Sequence, residues 1–330
     1  MHLGSADVCE RIGGCLASHE PPAVFGVDAV RALDHEKITH GVVFSSGYLY
    51  GLASLELSPR AVARWTRREN EFTAAEVANY PDRLVGFLSV DPLNPSALDE
   101  LRHWQGRREL VGLKLHLTAS SVNIRNEVER SRVTSVIREA AIQRLPIAIH
   151  IGGGAFDASD AAIFIRTILP SAGQSWVQIA HAGGGFPLER DNHVQVLRVF
   201  ADHIAEDDPR TERVLFDLSY VPAPEEGPEV ASAMVVEMRR IGIKRFLFGS
   251  DYNVLTPRRS GRGYPAAGSH KGRGVRVTSE LCAMGLPGHV KNLPGERRWA
   301  PDTATAEPSA TNSTASRPTR ATAIARYAAA

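Results

Sequence analysis

Apolar residues fall into short β-branched runs separated by stretches in which they recur every three or four positions. The runs are Gly41 to Ser45, Leu84 to Val90, Val111 to Leu117, Ile147 to Ile151, Val177 to His181, Val214 to Leu218 and Phe246 to Ser250. Between them, helical spacing is found over Glu71 to Tyr80, Ser96 to Trp104, Glu127 to Arg144, Ser159 to Leu169, His193 to Ile204 and Pro228 to Ile241, with Ser96 and Ser159 as N-caps. Runs apolar on both faces that alternate with helices predict repeated βα units around a parallel sheet wrapped by helices.

The alternation stops after Asn253. From there to Ala330 the chain is rich in Ala, Thr, Arg, Pro, Gly and Ser and holds no strand or sustained amphipathic helix, so this stretch is expected to be disordered. Charge divides at nearly the same place. Thr256 to Ala330 carries 12 Lys/Arg against 4 Asp/Glu, or +8, which leaves 26 against 33, or −7, for residues 1 to 255. A basic tail of this kind can bind nucleic acid, but its arginines are scattered and almost no aromatics lie among them, so no nucleic-acid partner is expected. With 43% apolar and 23% charged residues, and no apolar stretch approaching the roughly 20 that cross a bilayer, the 330-residue chain reads as soluble, without a membrane partner. No leader follows Met1, which predicts a cytoplasmic location. The cysteines Cys9, Cys15 and Cys282 match neither a zinc spacing nor a disulfide framework.

In a parallel barrel the reactive groups stand at the C-terminal ends of strands. Lys114 and His116 close one run, two apart and so on one face; His150, His181, Asp217 and Asp251 close others. A lone histidine at a strand end is ordinarily a hydrogen-bonded structural residue; repetition around one mouth changes the weight. Imidazoles and carboxylates converging there supply the nitrogen and oxygen ligands of a divalent ion with an open position for water. Such an ion lowers the pKa of that water, and a neighbouring His or Asp takes its proton. His35, Glu36 and His40 look like a metalloprotease helix, but the spacing of five sets the two histidines roughly 140° apart. The triple glycines after His150 and His181 lack the Lys-Ser/Thr of a P-loop and read as tight βα turns.

Tyr-Pro-Asp-Arg-Leu-Val-Gly-Phe (80 to 87), Gly-Leu-Lys-Leu-His (112 to 116), Pro-Ile-Ala-Ile-His (146 to 150), Ile-Ala-His-Ala-Gly-Gly (179 to 184) and Leu-Phe-Gly-Ser-Asp (247 to 251) occur in a specific order and spacing. Over about Ile38 to Pro257 the chain thereby resembles the amidohydrolase-related family of metal-dependent hydrolases that includes aminocarboxymuconate-semialdehyde decarboxylase. The resemblance implies a (β/α)8 TIM barrel over residues 1 to 257. It implies a divalent metal, zinc first, with His2, His150 and Asp251 as ligands. His181 and Asp251 would be catalytic, and Lys114 and His116 would line the pocket of a small-molecule substrate; self-association into a homo-oligomer also fits. The implied reaction is hydrolysis of a small carboxylated or cyclic substrate, with decarboxylation on the same site, or a catalytically defective remnant, as alternatives. Asp217 is read as a structural hydrogen-bonding residue.

The chain also departs from that family. Members begin with a strand ending in His-x-His, whereas only Met1-His2-Leu3 precedes Gly4, so the first strand is expected to be largely missing, with His2 on an untethered terminus. Residues 258 to 330 lack the family's closing pattern. Shifting the reading frame by one base over His270 to Met284 permits that ending and forces tryptophan at Met284, so the tail reads as frame-shifted between Asp251 and His270.

Overall fold

The computed structural model describes residues 1–5, 24–185, 190–219, 221 and 227–251. The chain divides into two units, Met1–Val277 and Thr278–Ala330, and every described residue lies in the first. The three cysteines and the sequence beyond Asp251, including the expected tail, fall outside the described residues.

Eight parallel strands succeed one another in chain order within a single sheet. They are β1 (His2–Leu3), β2 (Gly41–Ser45), β3 (Leu84–Ser89), β4 (Leu110–His116), β5 (Ile147–His150), β6 (Val177–Ile179), β7 (Val214–Asp217) and β8 (Phe246–Leu247). Among the described residues the α-helices are α1 (Gly26–His35), α2 (Pro59–Ala78), α3 (Ala97–His103), α4 (Glu127–Ile142), α5 (Ala158–Ile163), α6 (Arg190–Ala205) and α7 (Gly227–Ile241). Strictly sequential parallel pairing curls the sheet in one sense and delivers every strand's C-terminal end to one rim, which is the TIM-barrel arrangement. Among the described residues β8 does not pair with β1; the two ends meet instead through side chains, His2 against Asp251.

The first strand, expected to be largely missing, is present in short form. β1 is only two residues long, yet it pairs with β2 in register, His2 with Phe44 and Leu3 with Ser45. Nor is the terminus untethered. The Met1 ammonium donates to Val42 O at 3.3 Å, Phe44 N donates to Met1 O at 2.8 Å, and Gly4 exchanges backbone bonds with Val24 at 3.3 and 3.0 Å. Leu3 is wholly buried with Val43, Leu33 and Leu84, so a short apolar tripeptide anchors a strand by packing.

The helices obey the polar and apolar spacing, but their starts differ from expectation where the cap is a different residue. Helix α5 is capped by Asp157, whose carboxylate accepts from Ser159 N and Asp160 N at 2.8 and 3.1 Å; Ser159 is inside the helix. Ser96 occupies the cap position of α3 without a side-chain cap bond. Helix α2 begins at Pro59, twelve residues before the expected Glu71, with Ser58 Oγ accepting from Ala61 N. Asn126 caps α4 by accepting from Val128 N and Glu129 N at 2.9 and 3.3 Å. Asn126→Ala should therefore lower the unfolding free energy by about 1 kcal/mol, measured by urea denaturation; an unchanged midpoint would show that water replaces the cap.

Beneath the sheet's helical layer, Phe164, Phe200 and Phe216 pack tilted and edge-on from α5's continuation through α6 to β7, all fully buried, with ring centroids 6.4 and 5.4 Å apart.

Candidate metal centre at the barrel mouth

The strand ends bring six of the predicted residues together. Lys114 and His116 lie on β4, His150 ends β5, and His2 opens β1; His181 and Asp251 come after β6 and β8 on turns. The rings of His116 and His150 stack with centroids 3.8 Å apart and 11° between planes, and His181 meets His150 edge-on at 4.9 Å. His2 Nε2 stands 3.7 Å from Asp251 Oδ1.

His181 is not the last residue of a straight strand. β6 stops at Ile179, and His181 takes a left-handed backbone (φ 53°, ψ 32°), as does Ala182 after it (φ 50°). Such a conformation costs an L-residue of order 1 kcal/mol and persists only where contacts enforce it. Here they do. Asp217 Oδ1 accepts from His181 N at 3.1 Å, Ser219 O lies 2.9 Å from His181 Nδ1, and His193 Nε2 lies 2.9 Å from His181 O. The glycines after β5 and β6 serve this turn by close approach: a Cβ on Gly152 would collide with the backbone oxygens of Gly183 and Gly184. The two turns cross backbone against backbone, which leaves no room for a phosphate reading.

The hydrogen bonds fix the imidazole tautomers. Ser219 O can only accept, so His181 Nδ1 carries a proton, and in the neutral ring the lone pair is on Nε2. Ala119 N–H donates to His116 Nδ1 at 3.1 Å, so His116 carries its proton on Nε2. His150 Nε2 lies 3.0 Å from the carbonyl of Gly152 and must donate to it, which leaves Nδ1 as its basic atom.

Burial decides the charges. It holds His2, His116 and His150 far below the usual imidazole range, with Lys114 and neighbouring imidazoles adding to the effect. All three are neutral at pH 7. Burial also lowers Lys114, against the attraction of Asp217 and Asp251. Its ammonium stands 5.1 Å from the centre of the Phe44 ring and makes no hydrogen bond among the described residues. For Asp217, burial pushes the carboxyl up, but the neighbouring His181 ring and hydrogen bonds from Ser219, Gln178 and His181 N outweigh it and hold it below the usual range. Asp217 accordingly acts as a hydrogen-bonding hub.

Tyr48, His193 and Ser219 belong to the site without being marked in the sequence. Tyr48 stacks on the outer face of His116 at 5.0 Å and meets His2 at 6.0 Å, and its hydroxyl is pushed up by burial and by Asp251. It lies in a turn after β2, where no periodicity singles it out.

The donors suit a divalent ion in kind, being neutral imidazoles and a carboxylate. His2 Nδ1 is buried with no hydrogen-bond partner among the described residues. Two ligands of one tetrahedral ion, each bound at about 2.1 Å, stand about 3.4 Å apart, close to the 3.7 Å between His2 and Asp251. Among the described residues, however, no three His, Cys, Asp or Glu groups are gathered at ligating distance of one point.

Comparison with known proteins bears on this arrangement. No curated protein matches the sequence. Among solved structures the fold is similar to 2,6-dihydroxybenzoate decarboxylase complexed with 2,6-dihydroxybenzoate, with a TM-score of 0.53 and 14% identity over 76% of this chain and 86% of that one. It is also similar to a protein solved as amidohydrolase II, at 0.53 and 16% over 76% and 85%, and to a protein from Staphylococcus aureus assigned to the amidohydrolases, at 0.52 and 14% over 76% and 86%. These likenesses establish the barrel. A family model described as amidohydrolase matches residues 52–267, well over half of the sequence, and on that match the chain belongs to the amidohydrolase family.

Proposed function

We propose that the chain is a metal-dependent hydrolase acting on a small, carboxylated cyclic substrate at the barrel mouth. The observation that carries this reading is the meeting of neutral imidazoles, a carboxylate and a buried ammonium from different strands at one rim. His2, His150 through Nδ1 and Asp251 would hold the ion, zinc being the one that such a donor set suits first. When bound, a divalent ion supplies Lewis acidity and makes water acidic near neutral pH.

The side chains supply the rest. Lys114, which makes no hydrogen bond among the described residues, would pair with a substrate carboxylate, at a site where desolvation strengthens the attraction. The flat stack of Tyr48 and His116 offers a face for a ring. His181, with Nε2 unprotonated, is the base, and His116, with a proton on Nε2, is the donor to the developing charge.

Decarboxylation is the second reading. It is favoured by the likeness of the fold to a 2,6-dihydroxybenzoate decarboxylase and by the same Lys114–aromatic geometry, with His116 Nε2–H then delivering a proton to carbon. The two readings differ in mass balance. Incubating the metal-loaded chain with small aromatic carboxylates and with their esters, lactones and amides gives products that have gained water in the first case and lost carbon dioxide in the second. Lys114→Met should cost about 2–5 kcal/mol of substrate binding, seen as a raised KM. If His150→Ala and Asp251→Asn change neither metal content nor turnover, the ligand assignment fails.

A further inference from the structure

β1 carries His2 into the mouth on two paired residues, and among the described residues β8 does not pair with its other edge. Sheet pairing is therefore one-sided, and side chains beyond the strand must help to aim it. Alternation along an extended chain puts His2 on the barrel's inner face and Leu3 and Ser5 on the outer one. Leu3 packs outward against Val43, Leu33 and Leu84. Ser5 meets α2. There the Glu69 carboxylate accepts from Ser5 N at 2.9 Å with one oxygen and from Ser5 Oγ at 2.5 Å with the other.

Glu69 is 1% exposed. A carboxylate is costly to bury, and it persists where hydrogen bonds to its charged form offset the cost. Bonds of that kind are roughly twice as strong as neutral ones. The ties at Leu3 and Gly4 are neutral: Ser46 Oγ donates to Leu3 O at 2.7 Å, and Gly4 exchanges backbone bonds with Val24. By accepting twice from one residue, Glu69 fixes both the backbone and the side chain of Ser5, and the extended chain carries that restraint back to His2. On the reading of His2 as a metal ligand, we infer that Glu69 is a positioning residue that holds it at the barrel mouth.

Two readouts on the full chain test this. The Phe44 amide, which donates to Met1 O at 2.8 Å, reports the seat of β1 by hydrogen exchange without metal, and the Leu113 amide, bonded to Pro146 O at 2.9 Å, reports the barrel as a whole. Titration with Co2+, read by its visible absorption, reports the ligands. Glu69→Ala should speed exchange at Phe44 by about tenfold or more, leave Leu113 unchanged and weaken Co2+ binding by a similar factor. Glu69→Gln, whose amide can accept from Ser5 N and donate to Ser5 Oγ, should restore most of both. Ser5→Ala removes the hydroxyl arm without emptying a buried helix position, and should show the same pattern at about threefold. The proposal is overturned if Phe44 stays protected in both alanine variants, if Phe44 and Leu113 speed up together, which would be a general loss of packing, or if Co2+ binding is weakened by His2→Ala and not by Glu69→Ala. Co2+ bound by His2→Ala as tightly as by the native chain would instead refute the ligand reading, and exchange at Phe44 would still decide whether Glu69 seats the strand.

Discussion

Asp217→Ala is expected to lower the unfolding free energy by about 3–5 kcal/mol, the range for removing one partner from a buried charged network. The carboxylate accepts from His181 N at 3.1 Å, from Ser219 N at 3.0 Å, from Gln178 Nε2 at 2.8 Å and from Ser219 Oγ. Truncation leaves these donors buried, at about 1–3 kcal/mol for a single unpaired group, although relaxation prevents simple addition. It also removes a restraint on the left-handed turn at His181 and Ala182, so the turn should open and the imidazole should lose its place. Asp217→Asn keeps an acceptor for the two backbone N–H groups and should lose less than half as much. Urea denaturation reads the stability, and hydrogen exchange at the His181 amide reads the turn. A loss below 1 kcal/mol for the alanine variant, with His181 still protected, would mean that His193 and Ser219 hold the turn unaided.

That network shows where a sequence stops being informative. The strand-end residues Lys114, His116 and His150 could be found because a parallel strand buried on both faces is a continuous apolar run, and a polar residue closing it stands out. Ser219 and His193 have no such background. Ser219 sits in a turn after β7 and His193 on the first turns of α6, and their bonds to His181 span 38 and 12 residues, distances that only the assembled barrel closes. Tyr48 is similar, its backbone N–H held by Ser89 Oγ from 41 residues away.

The element boundaries obey the same logic. β1 is two residues long, too short for any period, and is specified by Leu3 packing and by exchanges with Val42, Phe44 and Val24. The first half of α2 reads as polar because Arg60, Arg64, Arg67 and Arg68 dominate it, yet Glu69, Asn70 and Thr73 are among its buried residues. Their burial depends on partners elsewhere: Asn70 binds Ser89 O and Glu100, and Arg67 meets Glu100 at 2.5 Å. The Ser58–Pro59 start is the one local signal there.

The neutral histidines at the mouth make stability fall steeply in acid. His2, His116 and His150 have folded-state pKa values far below 6.5, so as pH drops through 6.5 the unfolded chain takes up protons that the folded chain refuses. With the unfolded state binding more protons, the free energy of unfolding rises with pH and falls as pH is lowered, by about 1.4 kcal/mol per pH unit for each group. Three groups together give about 4 kcal/mol per unit once pH is well under 6.5. The Met1 ammonium contributes in a higher window, since burial takes it from 8.0 to about 6 and its penalty is relieved as pH rises from 6 to 8. Lys114, also lowered, acts in the same sense over a window that closes at its ordinary 10.5, and the lowered Asp217 loses its contribution only below about pH 4, so neither opposes the effect. The measurement is the urea midpoint at pH 8, 7, 6 and 5.5 in the presence of a chelator, so that no metal competes for the imidazoles. His116→Asn places an acceptor where Nδ1 receives Ala119 N–H but cannot titrate, and it should remove about one third of the slope below pH 6.5. A midpoint unchanged between pH 7 and 5.5 would show that the rings take up protons in the folded state, and His116 could then not serve as a neutral donor at the barrel mouth.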